Sequence, residues 1–153
     1  MNKAITVSIL ALAFIGGFYV FYNPKSVSNP TQKSSSASNA QQKWETKTDE
    51  QSEITVTVTP IDISPESKEW RFNVVMDTHS VELDQDLLKI TVLVDDRGKE
   101  YKPLNWEGAP AGGHHREGVL TFNQITPLPK FIEIKISDVG GVMRSFMWQL
   151  KTI

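Results

Sequence analysis

Apolar and polar residues alternate with period two through the second half of the chain, and this alternation predicts strands. Ile54-Thr-Val-Thr-Val-Thr59 puts Ile and Val on one face and Thr on the other, and ends at Pro60. Trp70–Met76 starts the same way after a turn at Pro65-Glu-Ser-Lys68. Ile90–Val94 is an apolar, β-branched run, the pattern of a central strand covered on both faces. Asp95-Asp-Arg-Gly98 is a hairpin signal with Gly98 free to take a positive φ. Its partner is Glu100–Leu104, an edge strand because Pro103 cannot donate to a ladder. Val119–Phe122 is short and Phe131–Ile136 alternates cleanly. Val142–Leu150 closes the series, with Val142, Arg144, Phe146 and Trp148 on one parity. Asp84–Lys89 has room for one helical turn.

About seven short strands without an amphipathic helix predict an all-β domain over residues 51–153, an immunoglobulin-like antiparallel β-sandwich. A partly open β-barrel is the alternative. The chain has no cysteine, so the Cys–Trp–Cys signature of antibody domains is absent, and no disulfide framework exists.

The N-terminal part has a different pattern. Ala4–Tyr22 is nineteen residues without a charge. As a helix it would cover roughly 28 Å, close to the ~30 Å hydrocarbon core of a bilayer. A cleaved signal has a shorter apolar region ending in small residues. Here Phe18, Tyr19, Phe21 and Tyr22 end the run and suit an interfacial aromatic belt. The reading is an uncleaved transmembrane signal anchor over 4–22. Lys3 and the α-amino group flank one end and Lys25 the other, which favours a cytoplasmic N-terminus and an extracytoplasmic C-terminal domain. Residues 23–50 are rich in Ser, Asn and Gln and offer little to bury, so they read as a disordered, flexible linker with a reach of roughly 30 Å.

Charge removes one class of partner. Residues 51–153 hold eleven Lys and Arg against fifteen Asp and Glu, a net of about −4. Nucleic acid, which needs a basic stripe, is excluded as a partner. The membrane is contacted through residues 4–22.

All three histidines fall in expected loops: His79 after the second strand, and His114 and His115 in the Gly-rich stretch Glu107–Gly118. Imidazole with a carboxylate suits Zn²⁺ or Cu²⁺. If the loop at 77–80 meets the loop at 107–118, His79, His114 and His115 converge, with Asp77 or Glu117 as an oxygen ligand. The competing reading has these histidines bonding the backbone of a long loop. Four glycines in that loop, with Trp106 as an aromatic platform beside it, also fit a protein-binding surface formed by Trp106, Glu107 and Arg116. In the plainer version Trp106 caps the core and Arg116 pairs with a carboxylate. The acidic cluster Asp77, Glu82, Asp84 and Asp86 lacks EF-hand spacing and reads as solvated turns. Met76, Met143 and Met147 read as core fillers in preference to soft-metal ligands. No nucleophile elbow or phosphate loop is present, so the chain is not expected to be an enzyme.

The runs Asp77-Thr-His-Ser80, Val94–Tyr101, Trp106-Glu-Gly108, Gly112–Gly118 and Phe146-Met-Trp148 resemble a group of uncharacterised prokaryotic membrane-anchored or secreted domains of immunoglobulin-like type. The resemblance covers roughly Ile54–Leu150. It implies a sandwich outside the cytoplasm, and it carries no reaction, cofactor or partner to individual residues. Taken together, the expectation is an anchored extracytoplasmic interaction module, an accessory subunit with a protein partner in the envelope. Transition-metal binding by the loop histidines is the alternative.

Overall fold

The computed structural model describes residues 43–150. The anchor assigned to 4–22 and the greater part of the linker lie outside the described residues. Among the described residues no helix is long and apolar enough to cross a membrane.

The fold is all-β. The elements are β1 (Lys47–Gln51), β2 (Ile54–Asp62), β3 (Glu69–Thr78), α1 (Leu87–Ile90), β4 (Thr91–Asp95), β5 (Glu100–Tyr101), β6 (Asn105–Gly108), β7 (His115–Asn123), β8 (Phe131–Val139) and β9 (Val142–Gln149). They form a five-stranded sheet in the order β1-β2-β3-β7-β6 and a four-stranded sheet in the order β5-β4-β8-β9. Every pairing is antiparallel.

The alternation in the sequence is what stacks the sheets. Ile54, Val56, Val58, Trp70, Phe72, Val74, Met76, Leu120 and Phe122 line the inner face of the first sheet. Leu93, Ile132, Ile134, Ile136, Phe146 and Trp148 line that of the second. All belong to one hydrophobic core. Phe72 meets Phe122 edge-on at 5.8 Å between ring centroids and touches Trp148 at 5.8 Å, so the aromatics bridge the sheets. The fully buried Trp70 indole donates to the Ser64 carbonyl at 3.1 Å, which satisfies its one polar atom.

Of four features, the third meets the expectation and the other three depart from it. First, the sheet starts at Lys47, inside the stretch assigned to the linker. β1 reads Lys-Thr-Asp-Glu-Gln and has no apolar residue to reveal it. It is held by pairing with β2 through a two-residue turn in which Ser52 and Glu53 both have positive φ, 50° and 60°. Trp44, just before it, packs on the core. Second, the Gly-rich loop is shorter than expected: β6 runs to Gly108 and β7 starts at His115, so only residues 109–114 connect them. Third, the run near Asp84–Lys89 yields a four-residue helix at 87–90, with the Asp86 carboxylate accepting from the Leu88 N–H at 3.1 Å as N-cap. Fourth, Met143 and Met147 do not fill the core; they are 63% and 43% exposed on the outer face of β9, while Met76 is buried as expected.

The β1 side of the structure is closed by a buried cation. Arg144 on β9 is fully buried. Its guanidinium donates to the Asp49 carboxylate at 2.5 Å, to the Gln51 carbonyl at 2.8 Å, and to the Asp49 and Val139 carbonyls at 3.3 Å. Trp148 adds an indole N–H to the Glu45 carbonyl at 2.7 Å. Two side chains of the second sheet thereby occupy backbone acceptors on the terminal strand of the first and just before it.

The expected hairpin at Asp95–Gly98 forms with Gly98 at φ 78°. Asp95 is buried on the inner parity of β4 and acts as its organiser. Its carboxylate accepts the N–H groups of Arg97 and Lys99 at 2.9 Å each and the Tyr101 hydroxyl at 3.0 Å. The Arg97 side chain adds a contact at 3.3 Å.

Candidate functional site

The segment between β3 and α1 and the loop between β6 and β7 meet at one end of the first sheet. Register makes the meeting unavoidable: Asp77 lies opposite His115 in the β3–β7 pair. Beyond the pair, the Thr78 N–H donates to the His114 carbonyl at 2.9 Å. The Leu83 N–H then donates to the Gly113 carbonyl at 2.9 Å, and the Gly112 N–H returns to the Leu83 carbonyl at 2.8 Å. Gly112 and Gly113 have φ of 113° and 75°, which side-chain-bearing residues rarely adopt. The two connections are therefore tied to each other as a third rung above the strands.

Arg116 holds this rung from beneath. It points into the interior, 2% exposed, and donates to the Leu83 carbonyl at 3.1 Å and the Gln85 carbonyl at 2.7 Å. Burial lowers its pKa from the usual arginine value, opposed by the nearby Asp86 and Asp84 charges. Its guanidinium stands 5.8 Å from the Trp106 ring centroid, a cation–π distance. Trp106 is half-buried against the core and donates its indole N–H to the Ala109 carbonyl at 2.9 Å.

Under the Trp106 indole, β6 and β7 approach unusually closely at the Gly108–Gly118 pair. A Cβ on Gly118 would stand 2.5 Å from the Gly108 Cα and 2.7 Å from the Trp106 ring. Gly118→Ala is expected to part the strands and displace the indole, at a cost of roughly 1–3 kcal/mol. Chemical denaturation of the variant checks this; an unchanged midpoint would show that the pair tolerates a methyl group.

The residues singled out from the sequence divide between two faces. His115 and Glu117 alternate with Arg116 along β7, so the first two point outward and Arg116 inward. Likewise Trp106 faces the core while Glu107 is exposed and takes a 3.1 Å bond from the Asn105 amide. Trp106, Glu107 and Arg116 thus do not share one outward surface: two of the three serve the scaffold. The loop assignment of 107–118 concealed this, since alternation applies only where the backbone is extended.

The outward set is His79, His114, His115, Asp77 and Glu117, with Glu82 beside Gly112. The backbone brings the 77–80 and 113–117 segments together as expected. Of the ligand set, His115 and Asp77 join directly, Nδ1 to Oδ1 at 2.5 Å. Among the described residues no group of three or more His, Cys, Asp or Glu side chains is arranged to hold a metal ion. His115 spends a ring nitrogen on Asp77, and His114 lies in the connection before β7 with no carboxylate among the described residues bonded to its ring.

The Asp77 hydrogen bond and charge raise the His115 pKa above its ordinary 6.5, with a smaller push from Glu117. The stabilisation from this pair is therefore fully present below about pH 6.5 and fades as pH rises through the raised value. In an NMR titration His115 is expected to show a midpoint above 6.5 that drops in Asp77→Asn. A midpoint insensitive to that substitution would disprove the pairing in solution.

The Asp95 network and the two buried arginines, Arg116 and Arg144, were the structural residues least visible from the sequence. For Arg144 a signal existed, its shared parity with Phe146 and Trp148.

No family model, curated protein or solved structure matches the chain.

Proposed function

We propose that the chain is a non-catalytic binding module, an immunoglobulin-like domain displayed outside the cytoplasm by the 4–22 anchor, which engages a protein partner of the envelope through the paired-loop tip. The immunoglobulin-like reading is supported by strand order. With β1 set aside as an added hairpin strand, β2-β3-β7-β6 and β5-β4-β8-β9 follow the A-B-E-D and C′-C-F-G orders of that architecture.

The observation that carries the binding reading is the division of labour at the tip. Three backbone hydrogen bonds and the buried Arg116 fix the two connections, while His79, His114, His115, Asp77 and Glu117 stay exposed. A surface fixed before contact gives up little conformational entropy on binding. Imidazole and carboxylate side chains on it suit a polar partner surface with donors of its own.

The test is co-purification of the full chain from its native membrane. His79→Ala with His114→Ala is expected to keep the melting temperature within a few degrees, as exposed substitutions do, and to lose the partner. A double variant that recovers the partner in full would refute the assignment.

A further inference from the structure

The two sheets end in four strands, β1, β6, β5 and β9, and three of these are guarded. β5 has two residues and β6 four. β1 carries Lys47, Asp49 and Glu50; its Asp49 and Gln51 carbonyls are taken by Arg144, and the Glu45 carbonyl just before it by Trp148. Short strands and edge charges are how sheets prevent pairing with other chains. β9 has neither. It runs eight residues, and its one charged residue, Arg144, faces inward.

The hydrogen-bonding direction of β9 follows from its register. The Leu150 N–H donates to the Lys130 carbonyl, so the even-numbered residues of this strand are the ones bonded to β8. The N–H and C=O groups of Met143, Ser145, Met147 and Gln149 accordingly point off the edge of the sheet. Their side chains lie on the outer face, where Met143 and Met147 are exposed.

We propose that β9 is a self-pairing edge, through which two copies of this chain join their second sheets into one antiparallel eight-stranded sheet. The sequence of the strand is self-complementary about Ser145. With Ser145 on the two-fold axis, Met143 of each copy stands opposite Met147 of the other, and all the paired residues are those with free backbone groups. Each axis-related pair exchanges two N–H···O bonds, the two methionine pairs make apolar cross-strand contacts, and no like charges are opposed. A closed two-fold contact of this kind uses the same patch on both copies. The proposal does not depend on the reading of the loop tip.

The absence of cysteine makes the register directly testable in the full chain. Across a two-fold axis the Ser145 Cα atoms would be roughly 5.5 Å apart, within the disulfide range. The two Met143 Cα atoms would be about 14 Å apart, four residues of offset, and out of range. Under mild oxidation Ser145→Cys is expected to give disulfide-linked dimer on the order of tenfold above Met143→Cys. In the Ser145→Cys background, Met143→Lys with Met147→Lys should abolish the linkage, whereas Met143→Lys with Met147→Glu should retain it, since the second combination sets opposite charges face to face. Equal linkage at positions 143 and 145, no linkage at 145, or identical behaviour of the two charge combinations would each overturn the proposal. All these positions are exposed, so a melting curve for each variant separates failed pairing from failed folding.

Discussion

Arg144→Met is expected to lower the unfolding free energy by about 3–5 kcal/mol, the cost of breaking a buried charge network by removing one partner. Methionine approximates the length of the arginine stem, so packing against Ile136 and its neighbours is largely kept. What is lost is the set of donors. The Gln51 and Val139 carbonyls lose their guanidinium partner, as do the Asp49 carbonyl and carboxylate. A buried acceptor left without a donor costs about 1–3 kcal/mol, a cost that falls most fully on the Val139 carbonyl. β1 has no apolar side chain of its own, so its attachment then rests on pairing with β2 and on the Trp148 bond and Trp44 packing just before it. The loss is expected to be local before it is global: amides of β1 exchange faster with solvent than those of β3 or β8. Hydrogen exchange with urea denaturation checks both statements. A loss below about 1 kcal/mol would mean that Arg144 fills space without holding the edge.

Asp95→Asn is expected to lower the melting temperature by roughly 10 °C, since several hydrogen bonds to one charged acceptor are weakened together. An amide oxygen still accepts, but its NH₂ group meets the N–H donors of Arg97 and Lys99 and the Tyr101 hydroxyl. The same carboxylate gives the domain an acid limit. Burial alone would raise its pKa, but the Lys99 and Arg97 N–H groups, the Tyr101 hydroxyl and the Arg97 guanidinium bring it from 3.8 down to about 2. A pKa lower in the folded than in the unfolded state means that the stabilisation is complete above about pH 4. It is lost as pH falls from there towards 2. The wild-type chain should therefore lose stability steeply over that interval, and Asp95→Asn should lose less. Parallel acid limbs for the two proteins would contradict the role given to Asp95.

These two residues also show what the sequence reveals and what it conceals. Strands whose inward positions are all apolar, such as β2 and β8, can be read directly because alternation is itself the signature of one buried face. The hairpin at Asp95–Gly98 is legible from turn chemistry. β1 is not, since it has no apolar alternation and its side-on support comes from Arg144, far along the chain. β6 and the first half of β7 are concealed for a different reason. Their inward positions are Gly108, Arg116 and Gly118, where a pattern search looks for Val or Ile. The glycines are there because two backbones nearly touch beneath Trp106, and the arginine because two carbonyls of the 81–86 segment need a donor. Reading that region as a free loop placed Trp106 and Arg116 on the binding surface. As strand, it turns them inward and leaves His115 and Glu117 outside. The meeting of the 77–80 segment with the histidine pair was foreseeable from hairpin-like proximity, but the direction of each ring was not.

If the proposed partner contact is right, the paired-loop tip meets the partner and the rest of the first sheet does not. Site-specific photo-cross-linking in cells tests it most directly, with the photoreactive group placed at His114 on the tip or at Thr57 on the outer face of β2. Both positions are outside the core, and among the described residues the only side-chain hydrogen bond at either is the one between the Thr57 and Thr48 hydroxyls at 3.1 Å on the outer face. The expected result is a discrete heterologous adduct from position 114 and none from position 57. An adduct from position 57 with none from 114 would place the contact surface on the flat of the sheet and contradict the account.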